Sequence, residues 1–279
     1  MTFDRFLLPA TTFRQSVCVR AGVTPVKQLK DCANAVFLEP SYDPVRRRIT
    51  FRQPATSPGL VPGTHYTVSV FPPPDDGSSS GVEAFDGAPL ERAASRTFTT
   101  RDVEPAGTLP DALPTVDFCK DLYLNVLSFT CASNGCHTSS GPTDHGVAIG
   151  PAEGLDFSSH AKIRTTAVSH VAHETATGEH AGTIDISPAL FGRAMPILDP
   201  TRPGNSYALY KLLAATDNGA PGATPALEKQ RVEEIARLRA AIIVGMPMPP
   251  ANGQMKALPQ ARLEQISDWI AVGAPTTCP

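Results

Sequence analysis

Two cysteines and a histidine stand close together near the middle of the chain. Cys131 and Cys136 have four residues between them, and His137 follows the second cysteine directly. Each thiol can add to one vinyl group of a porphyrin, and a histidine beside the second thiol is then held beneath the iron. The segment predicts one covalently bound haem c with His137 as the proximal iron ligand. Its gap of four residues is longer than the usual two.

The same two thiols allow other interpretations. Without haem, Cys131 and Cys136 can form a disulfide with each other, which would make the chain a haem-free protein. A closed zinc site is less favoured, because it needs further ligands that only folding could bring. The haem-bearing and the haem-free hypotheses both stay open at this stage.

A short loop with two methionines provides a candidate for the opposite face of the iron. Residues 245–250 read Gly-Met-Pro-Met-Pro-Pro. Proline fixes φ and cannot continue a helix, so this loop should be extended and stiff, although methionines more often fill gaps in a core. We predict Met248 as the distal ligand, with Met246 as the second choice. His170 and His173, spaced as on one helical face, are a further source of a distal histidine.

Three segments with apolar residues at helical spacing surround these groups. The first covers residues 116–127, just before the thiols, and the second begins at Pro225, before the methionine loop. The third is the terminal helix, bounded by Pro259 and Gly273. Its apolar positions are Leu263, Ile266, Trp269 and Ile270, and those of the second helix are Val232, Ile235, Leu238 and Ile242.

The first hundred residues have a different pattern. Short runs with β propensity, such as residues 48–51 and 65–71, alternate with clusters of proline, glycine, aspartate and serine, which indicates strands and turns. With 279 residues the chain exceeds the usual size of one domain. We predict a β domain at 1–100, a proline-rich linker at 101–115 and a helical domain at 116–279, with an insert at about 138–198.

Several segments of the second half together resemble the cytochrome c-like domains of large planctomycete-type and myxobacterial secreted proteins. They are residues 131–137, 199–212, 248–250 and 266–275. The resemblance implies a mainly α domain with covalent haem, His137 proximal and a methionine distal. The first half, in residues 2–6, 60–68 and 96–100, is similar to bacterial Ig-like domains, whose role is spacing or adhesion. The expected fold class is therefore multidomain, an N-terminal all-β Ig-like sandwich followed by a mainly α cytochrome c-like domain.

The remaining four cysteines fit this division. Cys18 and Cys32 lie together in the Ig-like part, where a disulfide would support a small core. Cys119 and Cys278 flank the cytochrome-like part, whose first and last helices cross in that family, so the resemblance implies a bridge between them. Disulfides and haem c both indicate an oxidising compartment, either the periplasm or the extracellular side of the cell surface.

Export is expected although residues 1–15 lack the basic start and apolar core of a signal peptide. We therefore expect that an upstream signal is missing from this sequence and that the missing part could tether the protein to a membrane or cell surface. No apolar stretch is long enough for a transmembrane segment.

Charge and the remaining motifs narrow the function. The net charge is -3, which offers no broad basic surface for nucleic acid. No nucleophile motif, phosphate-binding glycine loop or paired-carboxylate signature is present, so an enzyme is not favoured. We expect a secreted electron carrier that serves redox partner proteins. The alternatives are a haem-free, disulfide-stabilised binding or structural protein, and a haem enzyme with an open iron site.

Overall fold

The chain divides into two compact units. In the computed structural model, the first unit comprises Met1–Asp43 and Arg47–Ala112, and the second comprises Pro44–Arg46 and Leu113–Pro279. None of the helices in the described ranges has the length and apolar character that a membrane crossing requires. The structure describes residues 1–26, 32, 34–74, 81–102, 115–132, 136–138, 143–144, 147–148, 151, 154–170, 172, 195–215, 225–241, 247–249 and 256–278.

The first unit contains two small antiparallel sheets in its described part. Strand β4 lies between β1 and β5 in a three-stranded sheet, and β2 pairs with β3 in a hairpin. In this register Val68 lies opposite Val19 on one side and Arg96 on the other. The strands are β1 Val17–Ala21, β2 Glu39–Asp43, β3 Arg48–Arg52, β4 His65–Val70 and β5 Ala94–Thr99.

Three buried clusters lie in the described part of this unit, and two of them show how its sheets and its disulfide are held. One joins side chains of both sheets, among them Val17, Ile49 and Val70. The other surrounds the Cys18–Cys32 disulfide, whose Cα atoms are 5.9 Å apart. The expected pairing of these two cysteines is thus confirmed, and the crosslink supports a core built from few apolar residues.

The predicted fold class, an N-terminal Ig-like sandwich followed by a cytochrome c-like domain, is wrong. The described sheets of the first unit have only three and two strands, and among those residues no Ig-like sandwich is evident. A strand in a sandwich buries every second side chain against the facing sheet, whereas β5 has five of its six residues exposed. Near the N-terminus, Thr2 and Leu7 make only isolated bridges to Arg48 and Ala84.

Helices dominate the described part of the second unit. A π-helix, Phe118–Cys131, is followed by α1 His160–Thr166, α2 Tyr207–Ala214, α3 Pro225–Ala241 and α4 Gln260–Ala271. Two short strands, β6 Thr143–Asp144 and β7 Val147–Ala148, pair with each other. Asp117 caps the π-helix by accepting the N–H groups of Cys119 and Lys120, both at 3.0 Å. Because a capped helix start satisfies free donors, this aspartate defines where the helix begins.

The terminal helix was predicted correctly. Helix α4 begins directly after Pro259 and presents Trp269 to the core. The indole ring stacks on Phe118 with ring centres 5.3 Å apart, and its Nε1 donates to the carbonyl of Pro275 at 2.9 Å. This contact joins the first and last helices of the unit.

Helix α3 follows its predicted apolar stripe only in part. Ile235 and Leu238 are buried, but Val232 is 50% exposed. Glu234, which the pattern places outside the stripe, is 1% exposed and accepts a hydrogen bond from Arg237 at 2.5 Å. The fourth stripe residue, Ile242, lies outside the described residues.

Candidate functional site

The attachment site, which we define as Cys131, Cys136 and His137, lies at the end of the π-helix. Cys131 is the last residue of that helix. The backbone N–H of His137 donates to the carbonyl of Cys131 at 3.1 Å, so the chain folds back on the helix end. Both thiols are free and half-buried. The structure therefore brings all three predicted attachment residues together.

The ring of His137 is oriented by a backbone carbonyl. Its Nδ1 lies 3.2 Å from the oxygen of Leu155. A carbonyl oxygen can only accept, so Nδ1 carries the hydrogen and Nε2 carries the lone pair in the neutral ring. The ring also meets Phe157 edge-on at 5.8 Å between centres, and the carbonyl of His137 accepts the N–H of Phe157 at 2.7 Å. The histidine is fixed through both its backbone and its side chain.

The segment that holds His137 is itself held by α1. Asp156 is buried, and its N–H donates to the hydroxyl oxygen of Thr166 at 3.0 Å. The carboxylate of Asp156 accepts the N–H of Ser158 at 2.8 Å. These bonds shape the turn between Leu155 and α1, so Thr166 is a positioning residue for the carbonyl that His137 contacts.

The Cys131 thiol is strongly disfavoured as a thiolate. Burial of the sulfur raises the pKa of Cys131 to about 12, and the charge of the neighbouring Cys136 acts in the same direction. The residue as a whole is half-buried, while its sulfur is shielded from water. Cys131 is a protonated thiol at neutral pH.

Met248 belongs to a different element from the attachment site. Its backbone N–H donates to the carbonyl of Lys211 at 3.1 Å, which ties the methionine loop to α2. The side chain is half-buried, and Pro249, joined to it by a cis peptide bond, is buried. Met246, the alternative ligand, lies outside the described residues.

The alternative distal histidines are only partly described. The carbonyl of His170 accepts the N–H of Ile197 at 2.7 Å, whereas His173 lies outside the described residues. Their use in place of a methionine stays a prediction.

A second cysteine–histidine group lies at the other end of the π-helix. Cys119 and Cys278 form the expected disulfide, with Cα atoms 5.7 Å apart, which confirms that pairing. His160, the first residue of α1, places Nε2 at 3.3 Å from the sulfur of Cys278. We call Cys119, Cys278 and His160 the disulfide–histidine group.

Sequence reasoning missed His160 as part of this group. The histidine is 118 residues from Cys278, and no local spacing relates them. The only available signal was the predicted crossing of the first and last helices, which concerned the cysteines alone. Comparison with known proteins adds no further residue, because no family model, no curated protein and no solved structure matches the chain.

Proposed function

We propose that this protein transfers electrons through one covalently bound haem c. Cys131 and Cys136 form the two thioether links, His137 is the proximal ligand and Met248 is the distal ligand. This assignment follows the resemblance of residues 131–137 and 248–250 to cytochrome c-like domains.

The hydrogen bond from His137 Nδ1 to Leu155 is the observation that carries the proposal. Histidines that ligate metals almost always donate their other ring N–H to a carbonyl or carboxylate, which fixes the tautomer and makes the ligating nitrogen more basic. The Leu155 carbonyl, 3.2 Å from Nδ1, does this for His137, and Nε2, which carries the lone pair of the neutral ring, is our proposed iron ligand.

The residues around His137 also fit a haem. Two free thiols lie beside the histidine, and Phe157 packs against its ring. Haem iron, when bound, supplies a centre that accepts and releases one electron. A methionine in the sixth position fills the coordination of that iron, which suits electron transfer better than activation of oxygen, and raises its reduction potential relative to two histidines.

The proposed location is the periplasm or the extracellular face of the cell. Two disulfides, Cys18–Cys32 and Cys119–Cys278, are formed in the structure. Disulfides persist in oxidising compartments, and haem c is joined to protein in the same places. The partners are redox proteins that exchange electrons with the haem.

The test is to export the full chain, with a signal peptide supplied, through a host that matures haem c. A pyridine haemochrome spectrum and a denaturing mass measurement should show one covalent haem. The double variant Cys131→Ala with Cys136→Ala should lose covalent attachment of the haem, whereas His170→Ala should retain it. A colourless chain whose mass fits three disulfides would contradict the proposal and favour a haem-free binding or structural protein.

The distal ligand is tested separately by two identical substitutions. Met248→Leu should convert low-spin iron to a form that binds carbon monoxide or cyanide readily. Met195→Leu, at a buried methionine outside the loop, should leave the low-spin spectrum unchanged. Should Met248→Leu also leave it unchanged, another residue is the distal ligand. An open iron site already present in the unmodified protein would instead indicate a haem enzyme.

A further inference from the structure

We propose that the disulfide–histidine group is a redox-controlled site for a zinc-like divalent cation. The cation binds when the Cys119–Cys278 disulfide is reduced, with the two sulfurs and Nε2 of His160 as ligands. This inference is independent of the haem proposal, because it uses none of the attachment residues.

The three ligand atoms already lie within one coordination sphere. They are all within 4.8 Å of one another, and within the described part of the chain no other group of three cysteine, histidine or acidic residues does this. Tetrahedral zinc, with Zn–S of about 2.3 Å and Zn–N of about 2.0 Å, separates a sulfur from a nitrogen ligand by about 3.5 Å. His160 Nε2 lies 3.3 Å from the sulfur of Cys278, which is close to that value.

After reduction, the two sulfur atoms need to move only slightly further apart to bind one ion. Two sulfurs on one tetrahedral zinc are about 3.8 Å apart. The Cα atoms of Cys119 and Cys278 are 5.7 Å apart, so rotation of the two side chains can provide this separation without moving the backbone. Both residues are half-buried, which leaves a path for the ion and for a reductant.

The surroundings hold the histidine in place. The ring of His160 meets Tyr123 edge-on at 4.1 Å and Phe118 at 5.4 Å. The hydroxyl of Tyr123 donates to the carbonyl of Ser158 at 2.8 Å, and Ser159 caps α1 at the position before His160. The imidazole is therefore positioned before any ion binds, which lowers the entropy cost of binding.

The charges favour a borderline-soft divalent cation. Two thiolates and one neutral imidazole carry a total charge of -2, which one divalent ion neutralises, and this ligand set suits zinc. Cys119 lies in the first turn of the π-helix, where the positive end of the helix favours an anionic sulfur. Three protein ligands leave a fourth position for water or another small ligand.

The reaction balances with a dithiol or phosphine reductant. Two electrons and two protons convert the disulfide to two thiols, and the reductant becomes its own disulfide or a phosphine oxide with oxygen from water. Ion binding then releases the two thiol protons. In the disulfide state the sulfur can only accept, so Nε2 carries the ring hydrogen. That hydrogen moves to Nδ1 when Nε2 becomes a ligand.

The experiment uses the full chain with Cys131→Ser and Cys136→Ser, so that the attachment site cannot bind metal. After anaerobic reduction by a phosphine and removal of the reductant, Co²⁺ should give a thiolate-to-metal charge-transfer band and tetrahedral visible bands. Zn²⁺ should displace the Co²⁺ with a stoichiometry of one. The oxidised chain should show neither signal.

His160→Gln is the decisive variant, and His170→Gln is its matched control. Loss of a direct ligand should weaken Zn²⁺ binding by more than about 100-fold, since loss of an outer-shell partner alone costs about 10- to 100-fold. His170→Gln should bind like the parent. Equal affinity and equal Co²⁺ spectra for parent and His160→Gln would overturn the proposal, as would a reduced, folded chain that binds no metal.

If reduction unfolds the second unit, refolding becomes the readout. Zn²⁺ should restore the circular dichroism of the reduced parent and of His170→Gln, but not of His160→Gln. Failure of Zn²⁺ to restore the parent would overturn the proposal.

Discussion

The two ends of the π-helix each hold two cysteines and one histidine, yet these residues are arranged differently. At the start, Cys119 is bonded to Cys278, and His160 turns its Nε2 toward a sulfur at 3.3 Å. At the end, both thiols are free, and His137 turns its Nδ1 toward a backbone carbonyl. Residue types alone do not decide what such a group does.

The atom that faces each imidazole nitrogen decides what the histidine can bind. His160 faces sulfur with Nε2 and so belongs to a group of potential ligands that share one ion. His137 donates its Nδ1 hydrogen to Leu155, so the lone pair of the neutral ring lies on Nε2, as the proposed role of a haem ligand requires. Helix α1 links both groups, because His160 begins it and Thr166, near its end, supports the segment around Leu155.

Replacing each of the two histidines in a separate variant should give the largest difference between the two groups. In haem-loaded protein, His137→Ala should abolish the low-spin spectrum because the proximal ligand is lost, while the thioethers keep the haem attached. His160→Ala should leave the spectrum unchanged. Absorption and magnetic circular dichroism spectra measure both, and equal loss in the two variants would contradict separate roles.

The disulfides should differ in their contributions to stability. Cys119 and Cys278 are 159 residues apart, and Cys18 and Cys32 are 14 apart. In the chain-entropy model these crosslinks contribute about 5 and about 3 kcal/mol respectively. Guanidinium unfolding of Cys278→Ala and Cys32→Ala, read by tryptophan fluorescence for the second unit and circular dichroism for both, measures each cost. A larger loss from Cys32→Ala would argue against this model.

Alkylation of the haem-free protein should show that the Cys131 thiol reacts slowly in the folded chain. Because the pKa is raised from 9.0 to about 12, the thiolate fraction near neutral pH falls about a thousandfold. Iodoacetamide labelling, located by peptide mass, should modify Cys131 far more slowly in the folded chain than in denaturant. The reverse order would show that the thiol is not buried.

The raised pKa of Cys131 also predicts that the free energy of unfolding depends on pH. The folded chain holds its proton on Cys131 more tightly than the unfolded chain does, so this contribution to stability is complete below pH 9. It is lost as the pH rises from about 9 to about 12. Cys131→Ala should reduce this alkaline loss in urea unfolding measured across that range, and an identical pH profile for both proteins would count against it.

The smallest expected effect concerns the support of His137. Thr166→Val should cost about 1 kcal/mol, since it removes hydrogen bonds to Asp156 and Lys162. In haem-loaded protein it should also shift the reduction potential, because the Leu155 carbonyl is no longer held firmly. Thr165→Val, next in the helix, is the control and should leave the potential unchanged. A stability loss without any change in potential would limit Thr166 to a structural role.

Much of the local structure was predictable because it depends on neighbours in the chain. The terminal helix has its apolar spacing and its proline boundary, and α4 follows them. The disulfide Cys18–Cys32 closes a short loop, so proximity in sequence was a sufficient guide. Strands β3 and β4 also lie where β-branched and aromatic residues cluster.

The arrangement of those strands was not predictable in the same way. The β pattern led to an Ig-like sandwich, but strand pattern does not specify how many strands pair or which sheet covers which. The exposed face of β5 and the isolated bridges near the N-terminus result from pairings between distant residues. The exposed Val232 and the buried Glu234 show the same limit on α3, where the packing of neighbours decided which face is inside.

Sequence alone was enough to single out the two thiols and the histidine of residues 131–137 and to place them after an amphipathic helix, because these are local features of the chain. The packing of the folded chain sets which nitrogen of His137 carries the ring hydrogen and brings His160 to Cys278. Both depend on contacts across 18 and 118 residues, made by the packing of helices around a shared core. Burial of apolar surface stabilises the packing that brings these residues together, and no local spacing in the sequence predicts it.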